Sequence, residues 1–272
     1  MPSVLFCDPA HFKIIDSKNP FMKPGEPLDL VLARQQWEQV KNAFAAAGFG
    51  AEILSSVPNL EDMVFANNQL FVAREEQGKF IVPSRMRYPS RQREVPHYVA
   101  WFKQRGYKVI ELDYGDDYLE GHGDLLWHAD GSKVWAGYGF RSTVGGVKKF
   151  ASAVEKLGIQ VIPLELRDPR FYHLDTCFAP LTSKAVLVHP PAFTPDSYQK
   201  IQQNCERVYV VGEEDALKFA CNGVAAAGKF ITPYVSPQVA SALSRERLEP
   251  VLVNTSEFQK SGGSVCCLKL FI

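Results

Sequence analysis

An amphipathic helical pattern with a short strand-like run close behind it recurs along this chain about every fifty residues. The helical patterns cover 30–46, 94–105, 145–157, 194–206 and 236–246, and the runs that follow cover 52–54, 108–112, 160–163, 208–210 and 250–253. Further short strands are predicted at 69–72, 79–82, 124–126, 134–137, 176–178, 185–188 and 230–233. Each unit therefore holds two or three strands and one helix. Repetition of one such unit favours a closed α/β ring over a doubly wound sheet. The doubly wound alternative also lacks its phosphate-binding fingerprint, since no GxGxxG follows the first strand. If the ring closes, the strand at 4–7 pairs with the one at 265–271, and both termini are pinned.

At 272 residues the chain can bury a large core, and one catalytic domain over 1–272 is the expected organisation. Thirty basic residues balance thirty acidic ones, which argues against non-specific nucleic-acid binding. No run of eighteen apolar residues exists, and the start Met1-Pro2-Ser3-Val4 lacks the basic flank of a signal peptide. A cytoplasmic protein without membrane contact is expected, with a homo-oligomer left open. Cys7, Cys177, Cys205 and Cys221 stand singly, with no metal-ligand spacing, and read as small buried apolar residues. Neither a metal nor a cofactor is called for.

Cys266 and Cys267 differ from the others. They follow Gly262-Gly263-Ser264 and open what reads as an apolar terminal strand. Neighbours on a strand point to opposite faces, so one thiol can enter a pocket while the other packs behind it. A thiol nucleophile needs an acid/base partner. His173 and Asp175, two apart, are placed on one face of a strand beginning at 176. Glu120-Gly121-His122-Gly123-Asp124 sets two acids and a histidine in a glycine-rich turn. Asn67-Asn68, with Asp62 upstream, could hydrogen-bond a planar polar group. Arg85, Arg87, Arg91 and Arg93 form a basic stretch suited to carboxylate or phosphate, and Arg141 follows a glycine-bounded turn. One thiol, one histidine, several acids and several arginines suit a small zwitterionic substrate.

Six segments in order carry a resemblance. They are Glu61-Asp62-Met63-Val64-Phe65, 87–97, 120–124, Trp135-Ala136-Gly137-Tyr138-Gly139-Phe140-Arg141, 168–178 and 256–270. Together they resemble the guanidine-modifying superfamily, and most closely the hydrolase domain of arginine dihydrolases. The resemblance implies a five-bladed α/β propeller (pentein fold) of ββαβ-like repeats. It also implies a small guanidino substrate such as arginine. Carried onto this sequence, the catalytic residues are Cys267, His173 and Glu120, with Cys266 the alternative nucleophile. The substrate-binding residues are Asp62, Asn68, Arg87, Asp124, Arg141 and Asp175, with Arg91 the alternative to Arg87. Asparagine at 68 matches the dihydrolases, which release ornithine, ammonia and carbon dioxide, whereas Asn67 departs from the small residue expected there. Dimethylarginine hydrolases, one-step deiminases and amidinotransferases are the alternatives within the superfamily. A non-catalytic ribosome-binding propeller is the alternative outside it.

Overall fold

Among the described residues, four of the five long helices begin at a side-chain cap that the sequence supplies. The computed structural model describes residues 2–73 and 78–272. Asp29 accepts from the Leu32 N–H at 2.9 Å to start helix Leu30–Ala46. Thr143 accepts from Gly146 at 3.1 Å to start helix Val144–Glu155. Thr194 and Ser236 do the same for helices Pro195–Asn204 and Pro237–Arg245, each with proline in the first turn, where no N–H is missed. Helix Val95–Lys103 starts without a side-chain cap but also carries a first-turn proline. On the first helix Ala33, Trp37, Val40 and Phe44 recur at helical spacing and are buried. Trp37 and Phe44 both meet Phe6 edge-on.

Among the described residues fifteen strands form five three-stranded sheets. They are β1 (Ser3–Cys7), β2 (Gly50–Leu54), β3 (Leu70–Val72), β4 (Phe80–Pro83), β5 (Lys108–Val109), β6 (Leu125–Trp127), β7 (Lys133–Tyr138), β8 (Gln160–Glu165), β9 (Phe178–Thr182), β10 (Ala185–Val188), β11 (Arg207–Val210), β12 (Val224–Ala226), β13 (Lys229–Thr232), β14 (Glu249–Leu252) and β15 (Lys269–Phe271). In four of these sheets the middle strand pairs antiparallel with the strand before it. It then pairs parallel with the strand that follows one long helix, a ββαβ blade. The middle strands β4 and β10 are wholly buried, whereas β11 and β14 face outward. The ring closes as expected: β1 pairs antiparallel with β15, Leu5 opposite Leu270, and parallel with β2. The fold is a five-bladed α/β propeller. Among the described residues no helix is long and apolar enough to cross a membrane.

Three local expectations change. Val265–Leu268 is one helical turn, not strand, and β15 begins only at Lys269. Leu174–Thr176 is a 3-10 turn and β9 starts at Phe178, because the Thr176 hydroxyl donates to the His173 carbonyl at 2.6 Å and curls the chain. Gly121–Asp124 is likewise a helical turn, with β6 starting at Leu125. The strand β12 was not read from the sequence, since Val224-Ala225-Ala226 is too short and too small to show a period. Of the four single cysteines, Cys7, Cys177 and Cys221 are buried and Cys205 is half-buried.

Candidate active site

The first strand of each blade is preceded by a short polar turn, and these turns meet. Asn67 and Asn68 lead into β3, Gly121–Asp124 into β6, and Leu174–Thr176 into β9. Ala220–Asn222 leads into β12, and Val265–Leu268 into β15. Each blade thus delivers side chains to the same place, and the site is assembled by the repeat itself.

Cys267 lines a narrow cavity with Asp62, Asn68, Arg91, Arg141 and Tyr172, covered by Lys18, Asn19 and Met22 of the loop after β1. The Cys267 thiol lies 3.2 Å from Asp175 Oδ2 and 3.3 Å from Asn222 Nδ2. Cys266 is absent from the cavity wall and turns its sulfur to Asn67 Nδ2, 3.8 Å away. The separation of the two thiols expected from a strand is therefore produced by a helical turn. Gly263 permits it: a Cβ there would lie 2.4 Å from the Phe65 ring, so only glycine lets the chain reach the turn over that ring.

Burial, then the neighbouring Asp175 and Cys266, push the Cys267 thiol well above its ordinary value. Without ligand it is a neutral thiol donating to Asp175. Burial also raises the Asp175 carboxyl, against the opposing pull of His173 and of hydrogen bonds from Asn67 and Cys267. Asp175 Oδ2 accepts from Asn67 Nδ2 at 3.0 Å, while Oδ1 is buried without a partner.

His173 Nε2 lies 2.9 Å from Glu120 Oε2. Glu120 is fully buried and holds both oxygens occupied. Arg141 Nε donates to Oε1 at 3.1 Å, the Arg87 backbone N–H donates to Oε1 at 2.8 Å, and Arg141 Nη2 is 2.9 Å from Oε2. Burial alone would lift the Glu120 carboxyl, yet the Arg141 charge and the His173 hydrogen bond hold it well below the carboxylate range. Glu120 is an anion that orients the imidazole. Arg141 is stacked between the Tyr88 and Tyr172 rings and reaches the cavity wall from behind that pair.

Asp62 presents two buried carboxylate oxygens without a hydrogen bond, although Lys18 Nζ forms an ion pair 3.1 Å from Oδ2. Asn68 gives its Oδ1 to Arg91 Nη1 at 3.2 Å, and its Nδ2 is buried and unpartnered. Gly123 makes room for that amide, because a Cβ there would come within 2.3 Å of Asn68 Nδ2 and 3.1 Å of the His173 ring.

Two named residues stand apart from this cluster. Arg87 is exposed, its guanidinium lies over the Tyr118 ring, and only its backbone touches Glu120. Arg91, on the short helix Pro89–Gln92, is the arginine of that stretch that enters the cavity. Asp124 is enclosed behind the site. Its oxygens accept from the Ser142 hydroxyl at 2.6 Å and the Leu174 N–H at 3.0 Å, so it braces the backbone after His173 instead of facing the cavity. Asn222 was missed altogether. It accepts from the Cys266 N–H at 3.2 Å and donates to the Asp175 carbonyl at 2.9 Å and to the Cys267 sulfur. The one signal for it was positional: like Asn68 and Cys267, it stands two residues before the first strand of its blade. Among the described residues no three of His, Cys, Asp or Glu gather as metal ligands.

A thiol beside a carboxylate with one unpartnered oxygen, and a histidine oriented by a second carboxylate, form an arrangement for attack on a cationic carbon. A family model described as N,N dimethylarginine dimethylhydrolase, eukaryotic, matches residues 9–271. The chain belongs to this family of guanidine-modifying enzymes. Among relatives of this family, an N(G),N(G)-dimethylarginine dimethylaminohydrolase from Mycobacterium tuberculosis is 34% identical over 264 residues, 97% of this chain and 83% of that protein. The bifunctional arginine dihydrolase/ornithine cyclodeaminase ArgZ of Synechocystis is 34% identical over 270 residues. That match takes in 98% of this chain and 37% of the bifunctional protein. A crystal structure of the N-terminal domain of ArgZ, a cysteine-to-serine variant bound to substrate, superposes with a TM-score of 0.93 at 33% identity. It covers 100% of this chain and 98% of that one.

Proposed function

We propose that this protein hydrolyses guanidino C–N bonds through Cys267 and converts arginine, with two waters, to ornithine, two ammonia and carbon dioxide. The thiol chemistry rests on Cys267 lying 3.2 Å from Asp175, whose second oxygen is buried and unpartnered. A guanidinium seated on that oxygen brings its carbon beside the sulfur. Sulfur attacks the carbon, and His173, oriented by Glu120, delivers the proton with which ammonia departs. The same imidazole then draws a proton from the water that cleaves the thiouronium. Asp62, at the cavity wall beside Lys18, would receive the α-ammonium.

The observation that carries the two-step reading is the polarity of Asn68. Arginine has only donors, so the Asn68 atom that faces Arg91 Nη1 must be the oxygen. The free atom is therefore an N–H₂ donor. A donor is useless to a guanidinium, which itself carries only donors, but it holds the carbonyl oxygen of the ureido group formed by the first hydrolysis. Retaining that intermediate allows a second attack. Cleavage of dimethylarginine to dimethylamine is the second reading, favoured by the family model and the Mycobacterium tuberculosis relative.

The test is product analysis with arginine and asymmetric dimethylarginine. Ornithine with two equivalents of ammonia is expected from arginine; citrulline alone would overturn the two-step reading, and dimethylamine would favour the second. Cys267→Ser is expected to abolish turnover and Cys266→Ser to keep it within about threefold, because only one of the two thiols faces the cavity.

A further inference from the structure

Glu94 is a buried acid that the chemistry above does not use. It is 1% exposed at the start of helix Val95–Lys103, and its Oε2 accepts from Arg91 Nε at 3.2 Å, Arg91 Nη2 at 3.1 Å and Gln69 Nε2 at 2.8 Å. Arg91 is equally enclosed, at 4% exposure, and its remaining reach is toward the site. Nη2 also donates to the Asp62 carbonyl at 3.3 Å, and Nη1 donates to Asn68 Oδ1. Asn68 is fixed at its backbone as well, where its carbonyl accepts from the Ser84 hydroxyl at 2.7 Å. The carboxamide is left with one freedom, the exchange of its oxygen and nitrogen by rotation about χ2. Rotation would set an N–H₂ against the Arg91 guanidinium, donor against donor, in a place closed to water. Arg91 forbids it only while its own fork is held in place, and Glu94 grips that fork on two nitrogens.

We propose that Glu94 is a positioning residue: by holding Arg91 it locks the Asn68 carboxamide with its N–H₂ toward the reacting carbon, and so sets whether the ureido intermediate is kept for a second hydrolysis or released. The proposal rests on the two-step reading. Glu94 touches neither substrate nor thiol, and acts through two side chains in sequence. Burial lifts its carboxyl despite Arg91 beside it. Arg91, bonded to it through two nitrogens, opposes that rise, and the two residues work as one unit.

The experiment measures the ornithine-to-citrulline ratio formed from arginine by the full chain, as wild type, Glu94→Gln and Glu94→Asp. Glu94→Gln is expected to lower the ratio at least tenfold, since a neutral amide no longer anchors the guanidinium. Glu94→Asp, which keeps the charge, is expected to remain within about threefold of wild type. A purely structural role would reduce total turnover with the ratio unchanged, and that result overturns the proposal. Should Glu94→Gln not fold, the Cys267→Ser protein crystallised with citrulline decides. Arg91 Nη1 on Asn68 Oδ1, with Nδ2 on the ureido oxygen, supports the proposal, and Arg91 withdrawn from Asn68 overturns it. Citrulline alone from the wild type refutes the two-step reading itself and this proposal with it. Ornithine from the wild type with an unchanged ratio in Glu94→Gln refutes only the proposal.

Discussion

Replacing Asn222 by alanine tests whether the nucleophile is held by the residue the sequence did not reveal. Its carboxamide serves three neighbours, of which two are backbone groups: the Cys266 N–H at 3.2 Å and the Asp175 carbonyl at 2.9 Å. Asn222 and Asp175 are fully buried and Cys266 nearly so, hence neither group regains bulk water when the amide is removed. Each orphaned group costs about 1–3 kcal/mol, so the pair costs about 2–6 kcal/mol. One water fits the space vacated by a carboxamide and can bridge the two, which brings the expected loss to about 2–4 kcal/mol. The catalytic consequence is separate. Without the Nδ2 contact at 3.3 Å the sulfur loses a polar partner opposite Asp175, and the turn carrying it loses its anchor at Cys266. Urea denaturation measures the first effect. Rapid-quench mass spectrometry of the thiouronium adduct measures the second, with a slowing of at least tenfold expected. A stability loss under about 1 kcal/mol together with an adduct rate within twofold of wild type would refute the reasoning.

Two further outcomes follow from where the structure puts side chains that the sequence left undecided. Arg87→Ala should leave KM for arginine within about threefold, because only the Arg87 backbone reaches Glu120, whereas Arg91→Met should raise KM by more than tenfold; equal effects would contradict the placement. Asp124 has its carboxyl raised by burial from 3.8 to about 6, so the native state binds its proton more tightly than the unfolded chain. Its stabilising contribution is complete below about pH 4 and is lost as pH rises through about 6, a change of about 2–3 kcal/mol from this one group. Asp124→Asn, which keeps an acceptor for the Leu174 N–H, should therefore gain stability relative to wild type between pH 4 and 7; denaturation curves showing a pH-independent difference would contradict it.

What the sequence yielded follows from which forces act locally. Helix positions were legible because a stripe such as Ala33, Trp37, Val40 and Phe44 records burial directly, and caps such as Thr194 and Ser236 mark the starts. Ring closure was legible from the element order, since repetition of one strand-and-helix unit favours a closed ring over an open sheet. The short turns at the site were not. A four-residue turn such as Val265–Leu268 has no period to detect, and it was taken for the strand that follows it. The choice between Arg87 and Arg91 depended on the one-turn helix Pro89–Gln92, which rotates the second inward. Asn222 stood alone between a cysteine and a glycine, and only its blade position, equivalent to those of Asn68 and Cys267, relates it to the site.

On the two-step reading proposed above, the resting state of the thiol explains why the two hydrolyses would place different demands on the site. Burial and Asp175 keep Cys267 protonated, so attack requires a charge that the empty site does not provide. A guanidinium on Asp175 provides it. A unit charge about 4 Å from the sulfur is worth about 4 kcal/mol at an effective dielectric constant near 20, or about three pK units. On this reading the cationic first substrate ionises its own nucleophile. The ureido group of the second step is neutral and lacks this effect, so its attack must be assisted differently. A preorganised donor on the carbonyl oxygen stabilises the negative charge that develops there as sulfur adds. Asn68 Nδ2 is the buried and unpartnered donor at the cavity wall, and its partner Arg91 keeps it in that role. An aspartate at position 68 would instead favour binding of the cation and offer nothing to the neutral intermediate. On this reasoning the asparagine exchanges affinity in the first step for electrophilic assistance in the second.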